Sequence, residues 1–195
     1  RIMHNDYLGT NQEINPAQLN IMTAGRGIAH SEQSLESKSI MHGVQLWIAL
    51  PDETRHQAPF FEHFSELPTS NNDGESLRVF VGEYQGLKSE AKIFSEMVGA
   101  EFKTSNNSTK LELDVEFEYG VLNVGKSFEI NGQILEFGEL AYIPTGNKEA
   151  AISSSQDKHF LLLGGKPFGE KILMWWNFIG RTHEEIVAAR ELWNS

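Results

Sequence analysis

The chain has 195 residues, no cysteine and a formal net charge of −11, with 39% hydrophobic residues including 12 Phe and 4 Trp. That is enough for one large domain or two small ones with a real core, and it excludes disulfides, thiolate metal sites and cysteine nucleophiles. An acidic chain without a Lys/Arg cluster argues against nucleic acid. There is no apolar run long enough for a membrane span and no visible secretory leader, so the expected compartment is the cytoplasm.

In chain order the pattern is mostly β. Leu8-Gly9 and Asn11 mark a turn, and Asn15-Pro16 a break. Leu19 to Met22 reads as a short strand, and Gly25 and Gly27 flank Arg26 where positive φ costs a glycine nothing. Gly27 to Ser34 reads as the next strand. "MHGVQLWIAL", Met41 to Leu50, reads as a long strand buried on both faces, with Gln45 its polar exception. Residues 51–76, with charge, three prolines and a Ser/Asn/Asp/Gly cluster, read as a linker packed through Phe60, Phe61 and Phe64.

From Leu77 the β pattern resumes. "LRVFVGEY" alternates and turns at Gly86, and residues 91–102 hold another strand. "KLELDVEF" sets Leu111, Leu113, Val115 and Phe117 on one face. Asn131-Gly132 between apolar residues predicts a hairpin. "KHFLLLGGKPF" reads as a buried strand. A closing helix follows Thr182, with Glu185 at capping-box spacing and Ile186, Ala189 and Leu192-Trp193 on one face. Many short strands with one terminal helix predict a β-barrel or sandwich.

The chemistry centres on "HSE". On a strand, residues i and i+2 share a side, with Cβ atoms roughly 6–7 Å apart, so His30 and Glu32 can converge on one cation. Imidazole with carboxylate suits Fe, Mn, Ni, Cu or Zn. Two ligands hold such an ion poorly, so other strands must add more. The plain alternative is a polar, hydrogen-bonded strand pair.

"LNIMTAGRGIAHSE" with "MHGVQLWIALP", and later "VFVGEYQG", "LLLGGKPF" and "WWNFIGRTHEEIVAARELW", resemble the pirin family of bicupins through nearly the whole chain. The resemblance implies an all-β bicupin of two stacked cupin barrels. Residues 1–66 would form a partial first barrel and 77–181 the second, with 182–195 the C-terminal helix. It also implies one mononuclear non-haem iron in the first barrel, held by three His and one Glu. His30 and Glu32 match the third His and the Glu. The first two belong to an H-x-H element, and none of the seven histidines (4, 30, 42, 56, 63, 159 and 183) forms one. The opening "RIMHNDYLG" resembles the stretch just after that element, so the chain reads as starting late. The expectation is a metal-free or poorly occupied site in residues 1–195.

The implied activity is quercetin 2,3-dioxygenase, with Glu32 as the catalytic residue accepting the flavonol hydroxyl proton. The competing reading is a regulatory or redox-sensing protein-binding module, and a third is self-association through open barrel edges. Other residues carry plainer expectations. His4 is a pocket residue or an exposed strand histidine. His42 sits in or beside the core. Gln45, if buried, needs a partner. Arg26 ties its loop to a carboxylate or carbonyl. His159 lacks a partner at ligand spacing, so the second barrel is a metal-free scaffold. His183-Glu184 lacks the second histidine of a zincin. Trp175, Trp176 and Phe178 pack the C-terminal tail onto the barrel.

Overall fold

Short runs of alternating or β-branched residues, cut by Gly, Asn and Asp, produce antiparallel strands joined by tight turns. The computed structural model describes residues 1–36, 40–167 and 169–194. Five strands make the first part: β1 (Ile2–Asp6), β2 (Asn11–Ile14), β3 (Leu19–Thr23), β4 (His30–Ser34) and β5 (Phe60–Phe64). They form a three-stranded sheet in the order β2-β1-β4 and a separate β3-β5 pair. The turn between β3 and β4 carries Gly25 at φ +53. A Cβ there would lie 2.2 Å from the Gln57 carbonyl oxygen, which accepts a 3.0 Å hydrogen bond from the Arg26 amide. Only glycine allows that approach.

The second part contains β6 (Thr69–Asn72), β7 (Glu75–Val81), β8 (Glu83–Tyr84), β9 (Leu87–Lys88), β10 (Met97–Thr104), β11 (Ser108–Glu112), β12 (Glu118–Asn123), β13 (Phe128–Ile130), β14 (Gln133–Leu135), β15 (Leu140–Ile143), β16 (Glu149–Ser153) and β17 (Lys158–Gly165). A six-stranded sheet, β15-β12-β17-β10-β7-β6, faces a four-stranded one, β11-β16-β13-β14. Between them lie Val79, Ala100, Phe102, Leu111, Val121, Phe128, Ile152, Phe160 and Leu162, all nearly inaccessible. Phe102 and Phe160 stack at 4.9 Å. Each such ring removed from water contributes about 1.5–3 kcal/mol, so this core is the main stabilising feature of the second part. Lys158, also buried, points its ammonium at the carbonyls of Asn106, Ser154 and Gln156, which satisfies its donors.

The hairpin β18 (Leu173–Trp175) and β19 (Phe178–Gly180) leads into α1 (His183–Trp193). The Thr182 hydroxyl accepts from the Glu185 amide as N-cap. Glu185 itself receives Arg55 through two bonds of 2.7 and 3.0 Å. Arg181 donates to Glu170 at 2.7 Å and to the Leu50 carbonyl at 2.6 Å. Residues 50–55 are thereby tied to the C-terminal segment. No helix among the described residues is long and apolar enough to cross a membrane.

Four expectations are corrected. Residues 41–50 form no strand: Met41, Val44, Leu46, Trp47 and Ile48 are exposed, because no described strand pairs with this run. Residues 51–76 are not merely a linker, since β5 pairs with β3 and β6 with β7. Aromatic strand propensity at Phe60, Phe61 and Phe64 outweighs the polar composition around them. The strand expected over 110–117 ends at Glu112. A turn follows and leaves Val115 exposed. In the tail, Trp175 stacks on Phe178 across the hairpin, but Trp175 and Trp176 remain about half or more exposed. They pack on one another rather than under the barrel.

Candidate functional site

The site is built by the β1–β4 pairing. Its antiparallel register sets His4 opposite Glu32 and Asp6 opposite His30. Directly opposed residues project to the same face, as do residues i and i+2, so these four side chains share one face of the sheet. All of β4 is exposed, whereas His4 is buried.

Asp6 anchors the group. Its side chain is fully buried. One oxygen accepts the Leu8 and Thr10 amides at 2.9 and 3.1 Å, and the other accepts His4 Nε2 at 3.1 Å. Burial opposes its ionisation, but the bonds from His4, Thr10 and Leu8 outweigh it and hold the carboxyl below its ordinary value. His4 Nδ1 then faces Glu32 Oε1 at 3.7 Å, and the His4 and His30 rings lie 5.7 Å apart, nearly parallel.

The facing wall comes from β3–β5. Asn20 pairs with His63 and Met22 with Phe61, so those four residues share a face. Phe61 stacks on His4 at 4.4 Å. His63 Nδ1 lies 2.7 Å from Asn20 Oδ1, and the buried Asn20 Nδ2 has no partner among the described residues.

His30 and Glu32 are thus brought onto one face with His4. In kind, the donors fit a divalent transition ion. In number they fall short, because no group of three His, Asp or Glu among the described residues converges as a cation site. Sequence reasoning missed Asp6, Asn20 and His63. The Asp6-to-Thr10 turn, an Asp followed by a glycine-containing loop, was a usable signal for the first. The linker reading concealed His63 and with it the partner of Asn20, which lies in the strand expected from Leu19 to Met22.

The remaining expectations resolve differently. His42 is outside the core, its ring edge-on to His159 at 5.6 Å. Gln45 is exposed and needs no buried partner. Arg26 anchors its loop through the backbone amide, with an exposed side chain. His159 does have a carboxylate partner, supplied across strands: Nε2 bonds Glu101 at 2.7 Å. Arg78 and Lys103 also contact Glu101. The His159 bond, aided by those cations and opposed by burial, lowers the Glu101 carboxyl to about 2. A separate cavity of about 340 Å³ lies by Tyr84, Glu112, Asp114, Phe117 and Tyr119.

Comparison with known proteins matches residues 1–48 to the pirin family model and residues 101–195 to the pirin C-terminal cupin domain. A Pseudomonas aeruginosa protein, whose name assigns it provisionally to the quercetin 2,3-dioxygenases, is 41% identical over 98% of this chain and 61% of its own length. A pirin-like protein of Caulobacter vibrioides is 30% identical over 100% of this chain and 69% of its own. The crystal structure of quercetin 2,3-dioxygenase from Acinetobacter baumannii superposes with a TM-score of 0.94 at 40% identity, covering 99% of this chain and 65% of that one. The chain therefore spans about three fifths of the length of the Pseudomonas relative. The two facing sheets are a cupin barrel, the architecture is that of a bicupin, and the chain belongs to the pirin family.

Proposed function

We propose that this protein is a pirin-class oxygenase acting on a small aromatic substrate of the flavonol type, with a non-haem iron held in part by His30 and Glu32. The observation carrying this reading is the imidazole and carboxylate sharing an open face of β4, backed by buried His4 and Asp6. The name of the Acinetobacter structure supports the substrate class. Two donors hold an ion loosely, so the proposal requires further donors beyond the described residues. When bound, the ion supplies Lewis-acid polarisation of a ligated oxygen.

The chain's own residues have separate tasks. Glu32, part-exposed on its strand, accepts the proton of an aromatic hydroxyl presented at the open face. Phe61 and Met22 offer an apolar wall for a flat ring, and Asn20 Nδ2, without a partner among the described residues, a hydrogen-bond donor on that wall. Flavonol consumption with added ferrous iron tests the reading. Residues 1–195 alone are expected to turn over slowly, and Glu32→Gln to lower whatever rate is present about a hundredfold. A rate indifferent to both Glu32→Gln and His30→Ala overturns it.

A second reading, a protein-binding module, is favoured by the β18–β19 hairpin. Trp176 is exposed at φ +50, a conformation bulky residues rarely adopt, and its neighbour Trp175 lines a cleft of about 300 Å³ with Met174, Ile186, Val187, His183 and Arg190. Pull-downs with Trp176→Gly separate the readings: lost partner capture with unchanged flavonol turnover supports the module.

A further inference from the structure

We propose that one end of the second barrel is a binding site for a small methylated amino alcohol, a cation that also carries an oxygen acceptor. The site is separate from the His30–Glu32 face and does not depend on it. The cavity of about 340 Å³ lies where β10 and β12 begin and β11 ends, at one end of the two facing sheets. That volume is at the small end of ligand pockets, which suits a small molecule. Tyr84, Tyr119, Val98 and Leu113 are buried in its depth, and Glu83, Glu112 and Asp114 are exposed at its rim. None of its lining residues is a lysine, arginine or histidine. Lys88 stands opposite Glu83 across the β8–β9 pair but does not line the cavity. Lys110 is engaged by Glu149, and Lys166 by Glu96 and Glu116.

Two features select the ligand. The Tyr84 hydroxyl accepts the Glu112 amide at 3.1 Å, and the Tyr119 hydroxyl accepts the Asp114 amide at 2.9 Å. These tyrosines are 8% and 4% exposed, and neither hydroxyl donates to an acceptor among the described residues. Burial pushes both phenols above their ordinary value, so each keeps a hydrogen to donate. A buried donor without an acceptor is costly, and a ligand oxygen relieves that cost. The second feature is aromatic. The Phe117 and Tyr119 rings lie 5.9 Å apart, tilted by 35°. One alkylammonium head can therefore sit within the roughly 6 Å reach of both rings, the arrangement that recognises quaternary ammonium groups. The rim carboxylates give the opening a negative potential that concentrates cations. A phosphate or carboxylate ligand meets the same groups unfavourably.

Choline is the probe. NMR titration of the 195-residue chain reads binding at the Glu112 and Asp114 amides and at the choline methyl protons, which the Phe117 and Tyr119 rings shift upfield. The uncharged isostere 3,3-dimethylbutan-1-ol is expected to bind about tenfold more weakly than choline. Tetramethylammonium, which lacks the oxygen, is expected to bind about threefold more weakly, and phosphocholine more weakly than choline because of its added negative charge. Phe117→Leu and Glu112→Gln should each weaken choline binding by about three- to tenfold. Urea unfolding separates loss of fold from loss of the site. Glu112→Gln alters only an exposed side chain, so it decides the matter if Phe117→Leu does not fold. Absence of shifts at the two amides with choline overturns the proposal. So does binding of any of the three analogues as tight as choline's, or a choline affinity unchanged in the folded variants.

Discussion

Two residues carry exact local requirements. Gly25 combines positive φ with an approach to the Gln57 carbonyl that a methyl group would block. Gly25→Ala is expected to destabilise the chain by about 1–3 kcal/mol, measured by urea unfolding, and to loosen the loop that leads into His30. Glu101 makes a pH prediction. Its carboxyl is lowered from 4.5 to about 2, chiefly by the His159 bond. A depressed acid stabilises the fold fully above its unfolded value and loses that contribution as pH falls through the folded one. Stability should therefore decline between pH 4.5 and 2 by as much as about 3 kcal/mol. Glu101→Gln should be less stable at neutral pH and flatter across that window. Equal slopes for the two proteins would show that other acids govern the decline.

Among the elements, those with local chemistry were legible in the sequence. Asn131-Gly132 forms the β13–β14 hairpin with φ values of +48 and +84, which Asn and Gly tolerate and other residues resist. Thr182 caps α1 as its spacing predicts. The elements misread are those decided by distant partners. The apolar run 41–50 announces burial but cannot name a strand to pair with. Val115 continues an alternation that the turn after Glu112 ends. At the site, the His30–Glu32 spacing was readable because it lies within one strand. The Asp6–His4–Glu32 chain was not, because only the β1–β4 register creates it. Thr182→Ala should cost about 1 kcal/mol. Arg55→Ala, which removes the paired bonds to Glu185, should speed amide exchange in both residues 50–55 and α1. Faster exchange in α1 alone would show that the two segments are not coupled.

On the scale of the molecule, a well-packed second barrel stands beside a first part whose β4 is an exposed edge strand. Such edges recruit other strands, and size-exclusion chromatography is expected to show concentration-dependent self-association despite the net charge of −11. The central claim is that the His30–Glu32 face holds a transition metal. Metal titration of the 195-residue chain beside its His30→Ala and Glu32→Gln variants tests it most directly. Weak binding of ferrous or cobalt ion that either substitution abolishes is the expected result. No detectable binding, or binding that survives both substitutions, would contradict it.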